Sequence, residues 1–404
     1  MTSALSSEES ALLAPVDPDR MLTRACEWSA INSGTGNLPG LARQADALAD
    51  AFSALPGEVA LVEPDPLTAI DETGDEVSIE RGRHLVVSVR PEANRRVLLT
   101  GHMDTVFPAS TDFTAISEIE PGVLNGPGLA DMKGGIAVIA EALMAFETSP
   151  SASALGYDVM INSDEEAGSG ASARLIDKLA SGKLAALTYE PTALPDGTLA
   201  GGRGGSGNYA ITVRGKSAHA GRNPEDGRNA LVAAADLVLR LKDLETGDLP
   251  VNPARIEGGS ANNVVPDLAV VRFNIRPKNE HAAARFTAVL DPLCKDVAAA
   301  HDVEIAIHGG ISRPPKPVDE GAEKLFGIVA ESAGALGQHY ARKNTGGVCD
   351  GNNIAACGVP VVDTMGVRGG AIHSPDEFLI VASLAERARL SALVLHRLAT
   401  GVAL

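Results

Sequence analysis

The sequence predicts an α/β fold interrupted by a smaller α+β unit, and three observations carry that prediction. First, apolar β-rich runs alternate with helical periodicity over residues 58–190. The runs VALVEP, HLVVSV and RVLLTG are followed by a helix over 133–146, the run YDVMIN, a helix around 171–179 and the run LAALTY. Such alternation reads as a sheet of buried parallel strands flanked by helices. Second, the pattern changes from about Gly205. Strand NYAITVRG, a helix over 227–244, strands ARIEGG and LAVVRFNIR, a helix over 280–300 and strand VEIAIHGG follow one another. That is β-α-β-β-α-β, the ferredoxin-like order. Third, a stretch over 312–319 with Pro314, Pro315 and Pro317 reads as a linker, and the first pattern then resumes. A helix near 320–336, the strand VPVVDTM and a helix over 381–398 complete it. The expected division is a larger α/β domain made of 1–203 and 313–404, with 204–312 inserted.

At the N-terminus, MTSALSSEESALLAPVDPDR has neither the basic region nor the apolar stretch of a secretory signal, and reads as a frayed polar leader. Asp17-Pro18 has the form of an N-cap followed by Pro at the first helical position, so a helix of about fourteen residues should follow. Leu41, Ala45, Leu48, Phe52 and Leu55 repeat at helical spacing and predict a second helix.

Composition excludes several classes. The chain has 404 residues, 45% hydrophobic and 21% charged, enough to bury a core without disulfide staples. Acids outnumber bases 52 to 34, giving −18, and aromatics are 3%, which argues against a nucleic-acid partner. No apolar run reaches transmembrane length, so no membrane partner is expected. The cysteines Cys26, Cys294, Cys349 and Cys357 form no C-x-x-C pair and read as reduced thiols of a cytoplasmic protein.

The chemistry gathers at strand ends. RVLLTGHMDT places His102 and Asp104 just beyond an apolar strand, where ligands collect in open α/β sheets. Alone, that match is better explained by a surface or core histidine. GPGLADMKGG places Asp131 in a Gly-rich turn opening a helix, either as a ligand aimed at the cleft or as a helix N-cap. YDVMINSDEEAGSG delivers Asp164, Glu165 and Glu166 to one sheet edge. Adjacent acids repel unless cations lie between them or one is protonated. Glu190 ends LAALTYEP, and His373 lies in the loop GGAIHSPDEF. Two imidazoles with several carboxylates from separate strand ends suit a pair of borderline divalent ions, zinc first, cobalt or manganese next. A nearby free carboxylate then takes a proton from water and passes it to a leaving amine.

The segments GHMDT, GPGLADMKGG, NSDEEAGSG, YEPT, GKSAHAGRNPEDGRNAL, NNVVPD, NIR, TGGVCDG and HSPDE resemble, in order, those of the dinuclear zinc family of glutamate carboxypeptidase, acetylornithine deacetylase, succinyl-diaminopimelate desuccinylase and aminoacylase. Their wording is nearest the glutamate carboxypeptidase branch. The resemblance implies a zinc-peptidase-like catalytic domain and an inserted lid and dimerisation domain, hence a homodimer. It implies two Zn2+ per chain, His102 and Glu190 on one ion, Glu166 and His373 on the other, and Asp131 bridging. Glu165 would be the general base, Asp104 would orient His102, and a cis peptide would follow Asp131. His219 would reach the scissile carbonyl, usually of the partner subunit. Asn263, Arg276, Arg313 and Gly347 would contact substrate, although Arg313 reads equally as a solvated linker charge. The loop over 366–373 would line the pocket, and Cys349 reads as a buried inert thiol. The implied activity is hydrolysis of an amide bond beside a free carboxylate. An N-acyl amino-acid deacylase is the alternative, and a metal-free binding protein on the same fold is the distant one.

Overall fold

Six strands form the central sheet of the computed structural model, which describes residues 5–402. Their spatial order is Glu58–Val62, His84–Val89, Gly156–Asn162, Arg96–His102, Ala185–Thr188 and Val361–Val362. The last four are parallel to one another. One strand departs from the expected all-parallel sheet: His84–Val89 runs antiparallel to both of its neighbours. The reason is local. Only a short turn, with Arg90 at φ +51°, separates this strand from Arg96–His102. A same-direction return needs a crossover of about a dozen residues or more.

The helix Gly134–Glu147 is buried on nearly all sides and packs against the helices Pro18–Ser29 and Ala382–Ala399. Pro18–Ser29 starts at the N-cap Asp17, and Leu38–Phe52 is the second expected helix. Ser7–Leu13 is also a helix, not a frayed leader. Ser6 and Glu9 form a reciprocal capping box, and Leu12 and Leu13 are buried. Residues 1–4 of that leader lie outside the described residues. No helix among the described residues is long and apolar enough to cross a membrane.

The insertion has the ferredoxin-like order. Its strands lie as Val251–Gly258, Leu268–Ile275, Ser206–Arg214 and Glu304–Arg313, all neighbours antiparallel. The helices Ala230–Asp243 and Glu280–His301 contribute Leu237 and Phe286 to a separate core with Ile211, Val213 and Phe273. The stretch expected to be a free linker is anchored instead. The strand runs on through Arg313, and buried Lys316 donates to the Gly201 carbonyl at 3.0 Å. A hairpin of Leu67–Ile70 and Glu76–Ile79, not anticipated from the apolar runs, reaches the inserted sheet. Arg272 donates to the carbonyls of Ile70 and Asp71 at 2.7 and 3.0 Å. Arg214 donates to the Gly74 carbonyl and to Asp75, each at 3.0 Å.

Close backbone approach links this core to the sheet edge. A Cβ on Gly135 would stand 2.2 Å from the carbonyl oxygen of Tyr189, the residue before Glu190. Gly135→Ala is therefore expected to cost about 1–3 kcal/mol of stability, as overpacked cores do, read by urea unfolding.

Candidate active site

Five side chains meet beyond the carboxyl ends of the parallel strands. His102 is the last residue of its strand, Glu166 lies in the turn Glu165–Ala167 that follows Asn162, and Glu190 comes two residues after Thr188. Asp131 precedes the helix Gly134–Glu147, and its peptide bond to Met132 is cis. His373 arrives from the C-terminal part with φ +64°, a left-handed conformation that residues with side chains seldom adopt.

Asp131 sits between the two imidazoles. Its Oδ1 is 3.1 Å from His102 Nε2, and its Oδ2 is 3.2 Å from His373 Nε2. Glu190 Oε2 lies 3.8 Å from His102 Nε2, and Glu166 Oε2 lies 3.2 Å from His373 Nε2. Two sets result, His102–Asp131–Glu190 and Asp131–Glu166–His373, with the ligand atoms of each within 4.8 Å of one another. Asp131 belongs to both. The side chain of His102 is 1% exposed and that of His373 is 52% exposed, so one set is enclosed and the other opens on the cavity.

The donor set fits a pair of divalent cations. Burial raises Glu190, and burial with repulsion from Asp131 brings Glu166 up to about 7. Hydrogen bonds to Asp131 and Glu166 lift His373 to about 10. Against its burial, the two imidazoles hold the carboxyl of Asp131 well below the usual range. An anionic Asp131 therefore lies between two acids that resist ionising, a crowding of carboxyl groups that positive ions relieve. The supporting contacts suit ligands as well. His102 Nδ1 lies 3.0 Å from the Asp104 carbonyl oxygen, and donating there leaves Nε2 free to ligate. The Asp104 carboxylate accepts from the backbone N–H of Glu165 and of Glu166, each at 3.2 Å, and from Thr35 at 2.7 Å. It thus fixes the acidic turn as well as standing beside His102. Asp164, by contrast, closes its own turn by accepting from Ala171 N–H and the Ser172 hydroxyl, both at 2.7 Å.

Glu165 lies beside the two sets and lines, with Asp131, Glu166, Glu190 and His373, a cavity of about 640 Å³. Burial raises its carboxyl well above the usual range against the opposing pull of Arg313. Arg313 Nη2 donates to Glu165 Oε1 at 2.7 Å and to Ser169 at 2.9 Å, while Nη1 reaches Asn353 at 2.8 Å and Asp350. Arg313 is 2% exposed, which rules out a solvated linker charge. Its fork is engaged by protein carboxylates. Arg276 and Gly347 line the cavity, and Arg276 Nε is held by Asn274 Oδ1 at 2.8 Å. His219 and Asn263 do not line it. They lie together on the insertion, exposed, joined through Ala220 N–H to the Asn263 carbonyl at 2.9 Å. Of the loop over 366–373 only Ile372 and His373 reach the cavity, since Gly369–Gly370 pairs with Phe378–Ile380. Cys349 is buried, and burial pushes its thiol well up.

Several contributors escaped the sequence reading. Glu377 is buried and accepts from the backbone N–H groups of Gly128, Ala130 and Asp131 at 3.0, 2.9 and 3.0 Å, holding the Asp131 loop. Asp350 anchors Arg313. Asp363 takes a fork of hydrogen bonds from Arg203, at 2.7 and 3.1 Å, and an ion pair from Lys316 at 3.1 Å. Glu377 and Asp350 stand inside HSPDE and TGGVCDG, so their motifs were visible while their roles were not.

The profile of Peptidase family M20/M25/M40 matches residues 98–397. The chain belongs to this family. Carboxypeptidase G2 of Pseudomonas sp. (strain RS-16) is 31% identical over 330 residues, covering 79% of this chain and 78% of that protein. A succinyl-diaminopimelate desuccinylase of Xanthomonas oryzae pv. oryzae (strain MAFF 311018) is 30% identical over 321 residues, covering 75% and 83%. Among solved structures, aminopeptidase PepT of Bacillus cereus ATCC 10987 shares the fold at a TM-score of 0.71 and 22% identity, covering 95% of this chain and 99% of that one. The Bacillus subtilis YXEP protein, a dinuclear metal binding peptidase of the M20 family, does so at 0.67 and 14%, with the same coverages, 95% and 99%. Family membership makes the chain a hydrolase, and the reading as a metal-free binding protein is set aside.

Two outcomes follow from this geometry. Glu377→Ala removes the acceptor of three backbone donors around Asp131 and should lower divalent-cation affinity about 10- to 100-fold, read by competition with a fluorescent chelator. Arg313→Lys keeps the charge but loses the fork. It should lower kcat about tenfold, the scale of one lost charged hydrogen bond, with KM little changed; a rise in KM alone would instead make Arg313 a substrate contact.

Proposed function

We propose that the chain is a two-metal amidohydrolase of the glutamate carboxypeptidase type, cleaving an amide bond beside a free carboxylate. The observation that carries this reading is the sharing of Asp131 between two ligand sets with Glu165 alongside. His102, Asp131 and Glu190 would hold one ion, and Asp131, Glu166 and His373 the other, with zinc the first choice and cobalt or manganese next. When bound, such ions supply the positive charge that makes water nucleophilic near neutral pH and polarises a carbonyl oxygen. Glu165 takes the proton of the attacking water and returns it to the leaving amine, while Arg313 and the Asp104-bound turn keep its carboxylate aimed into the cavity. Arg276 reads the substrate carboxylate, the natural partner of a planar fork, with Gly347 beside it.

His219 and Asn263 complete the site in a homodimer formed through 204–312, the proposed inserted domain between 1–203 and 313–404. Two features support this. Both residues stand off their own chain's cavity, and Val232 and Leu239, two turns apart on one helix, are 53% and 68% exposed. An imidazole arriving from the partner would stabilise the developing oxyanion. A cytoplasmic location belongs to the same reading, supported by four unpaired thiols.

A second reading, N-acyl amino-acid deacylation, is favoured by the desuccinylase relative, which aligns over 83% of its own length. A panel of C-terminal glutamyl peptides, acetylornithine and succinyl-diaminopimelate, assayed with zinc or cobalt after chelation, separates the two. Glu165→Gln should lower kcat about 100- to 10,000-fold with metal content unchanged; full activity in that variant sinks the mechanism. Light scattering should show a dimer, and a fully active monomer would remove His219 from the partner's site.

A further inference from the structure

We infer that the cavity between the hairpin over 67–79 and the open face of the inserted sheet is the acyl-side subsite, and that it takes a long apolar acyl chain. The inference rests on the amide-hydrolase reading above. The cavity measures about 780 Å³ and is continuous with the catalytic one, because Ala167, Gly168, Asn208 and Ser312 line both. Ala167 and Gly168 directly follow the turn residues Glu165 and Glu166. With Cα atoms about 3.8 Å apart along a chain, this shared rim lies within roughly 11 Å of Glu165.

Charge sets the direction in which a substrate lies. On its other side the catalytic cavity shares Arg203, Arg276 and Thr345 with a third cavity of about 890 Å³. There Arg203 is held by Asp363 and Arg342 by Glu323, which lines it with Glu280, so Arg276 and Lys278 supply the positive charge. A carboxylate is drawn to that cationic side, which leaves the acyl group facing the hairpin. There the wall is mostly apolar, with half-buried Leu67, Ile79 and Ile311 beside the polar Glu76 and Asn274. Arg272 lines the cavity but is already engaged by Glu257 at 2.6 Å and by the carbonyls of Ile70 and Asp71. Arg81 and His308 also line it, so a short anionic acyl group is the competing occupant.

Gly310 gives a clean probe. It lines this cavity and not the catalytic one, and a Cβ built on it meets nothing within 4 Å. The zinc-loaded Glu165→Gln protein, which binds without turnover, is titrated calorimetrically with N-acetyl-, N-succinyl- and N-decanoyl-glutamate. Affinity is expected to rise with chain length, by up to about fourfold per methylene seated, with the succinyl compound no tighter than the acetyl one. Adding Gly310→Phe should weaken the decanoyl compound about tenfold or more and leave the acetyl compound unchanged. Equal affinities across chain length, tightest binding of the succinyl compound, or equal weakening of all three by Gly310→Phe would each overturn the inference. Wild-type turnover keeps the two readings apart. Hydrolysis of the acetyl compound alongside a flat binding series defeats only the subsite, whereas no hydrolysis of any member defeats the amidohydrolase reading.

Discussion

One carboxylate facing two imidazoles is the constraint around which this molecule is arranged. Asp131 presents Oδ1 to His102 and Oδ2 to His373, and both contacts need its loop held against the sheet edge. A buried glutamate from the far C-terminal part, Glu377, does this by accepting from three backbone N–H groups of that loop. Carboxylates that accept several backbone donors are fixed in position more firmly than solvated ones. The bridging position is therefore built by both halves of the interrupted domain, and neither half alone contains it.

The same economy governs the acidic turn. Asp104 reaches it through two backbone N–H groups, and Arg313 reaches it through the side chain of Glu165. Burying so many charges is tolerable only because each has a partner, since an unpaired charge in such surroundings costs several kcal/mol. The cavity therefore has rigid walls near the reacting atoms. The hairpin and the side lined by Arg276 and Lys278 lie further out, where a changed side chain would leave His102, Asp131, Glu166, Glu190 and His373 undisturbed.

Much of this was legible in the sequence, for identifiable reasons. Asp17-Pro18 announces a helix because the cap and the fixed φ of proline act locally. The clustering of His102, Glu166 and Glu190 was legible because apolar strands end at or just before them and leave their polar residues at one sheet edge. Strand direction was not legible, since an apolar run looks the same whichever way it points, and only the short connection after Val89 decides it. Glu377, Asp350 and Asp363 were not legible as buried anchors, because a lone acid in a loop carries no mark of its eventual partners. The surroundings of Arg313 were not legible for the complementary reason. Prolines around it kept a solvated linker charge open beside a substrate contact, whereas Glu165, Ser169, Asp350 and Asn353 enclose it.

Both crossings between the central sheet and the insertion are clamped by paired cations, Arg313 and Lys316 buried and Arg203 half-buried. Arg203 and Lys316, paired across the two crossings, share Asp363, and Arg313 is gripped by Glu165 and Asp350. Swinging the insertion about those crossings would tear charges from their counterions, at about 3–5 kcal/mol for each pair broken. Any pivot must lie beyond them, inside the inserted sheet. Gly309, at φ +96°, lies in the outgoing strand there, so opening would flex the insertion's own strands and leave Glu165 in the grip of Arg313.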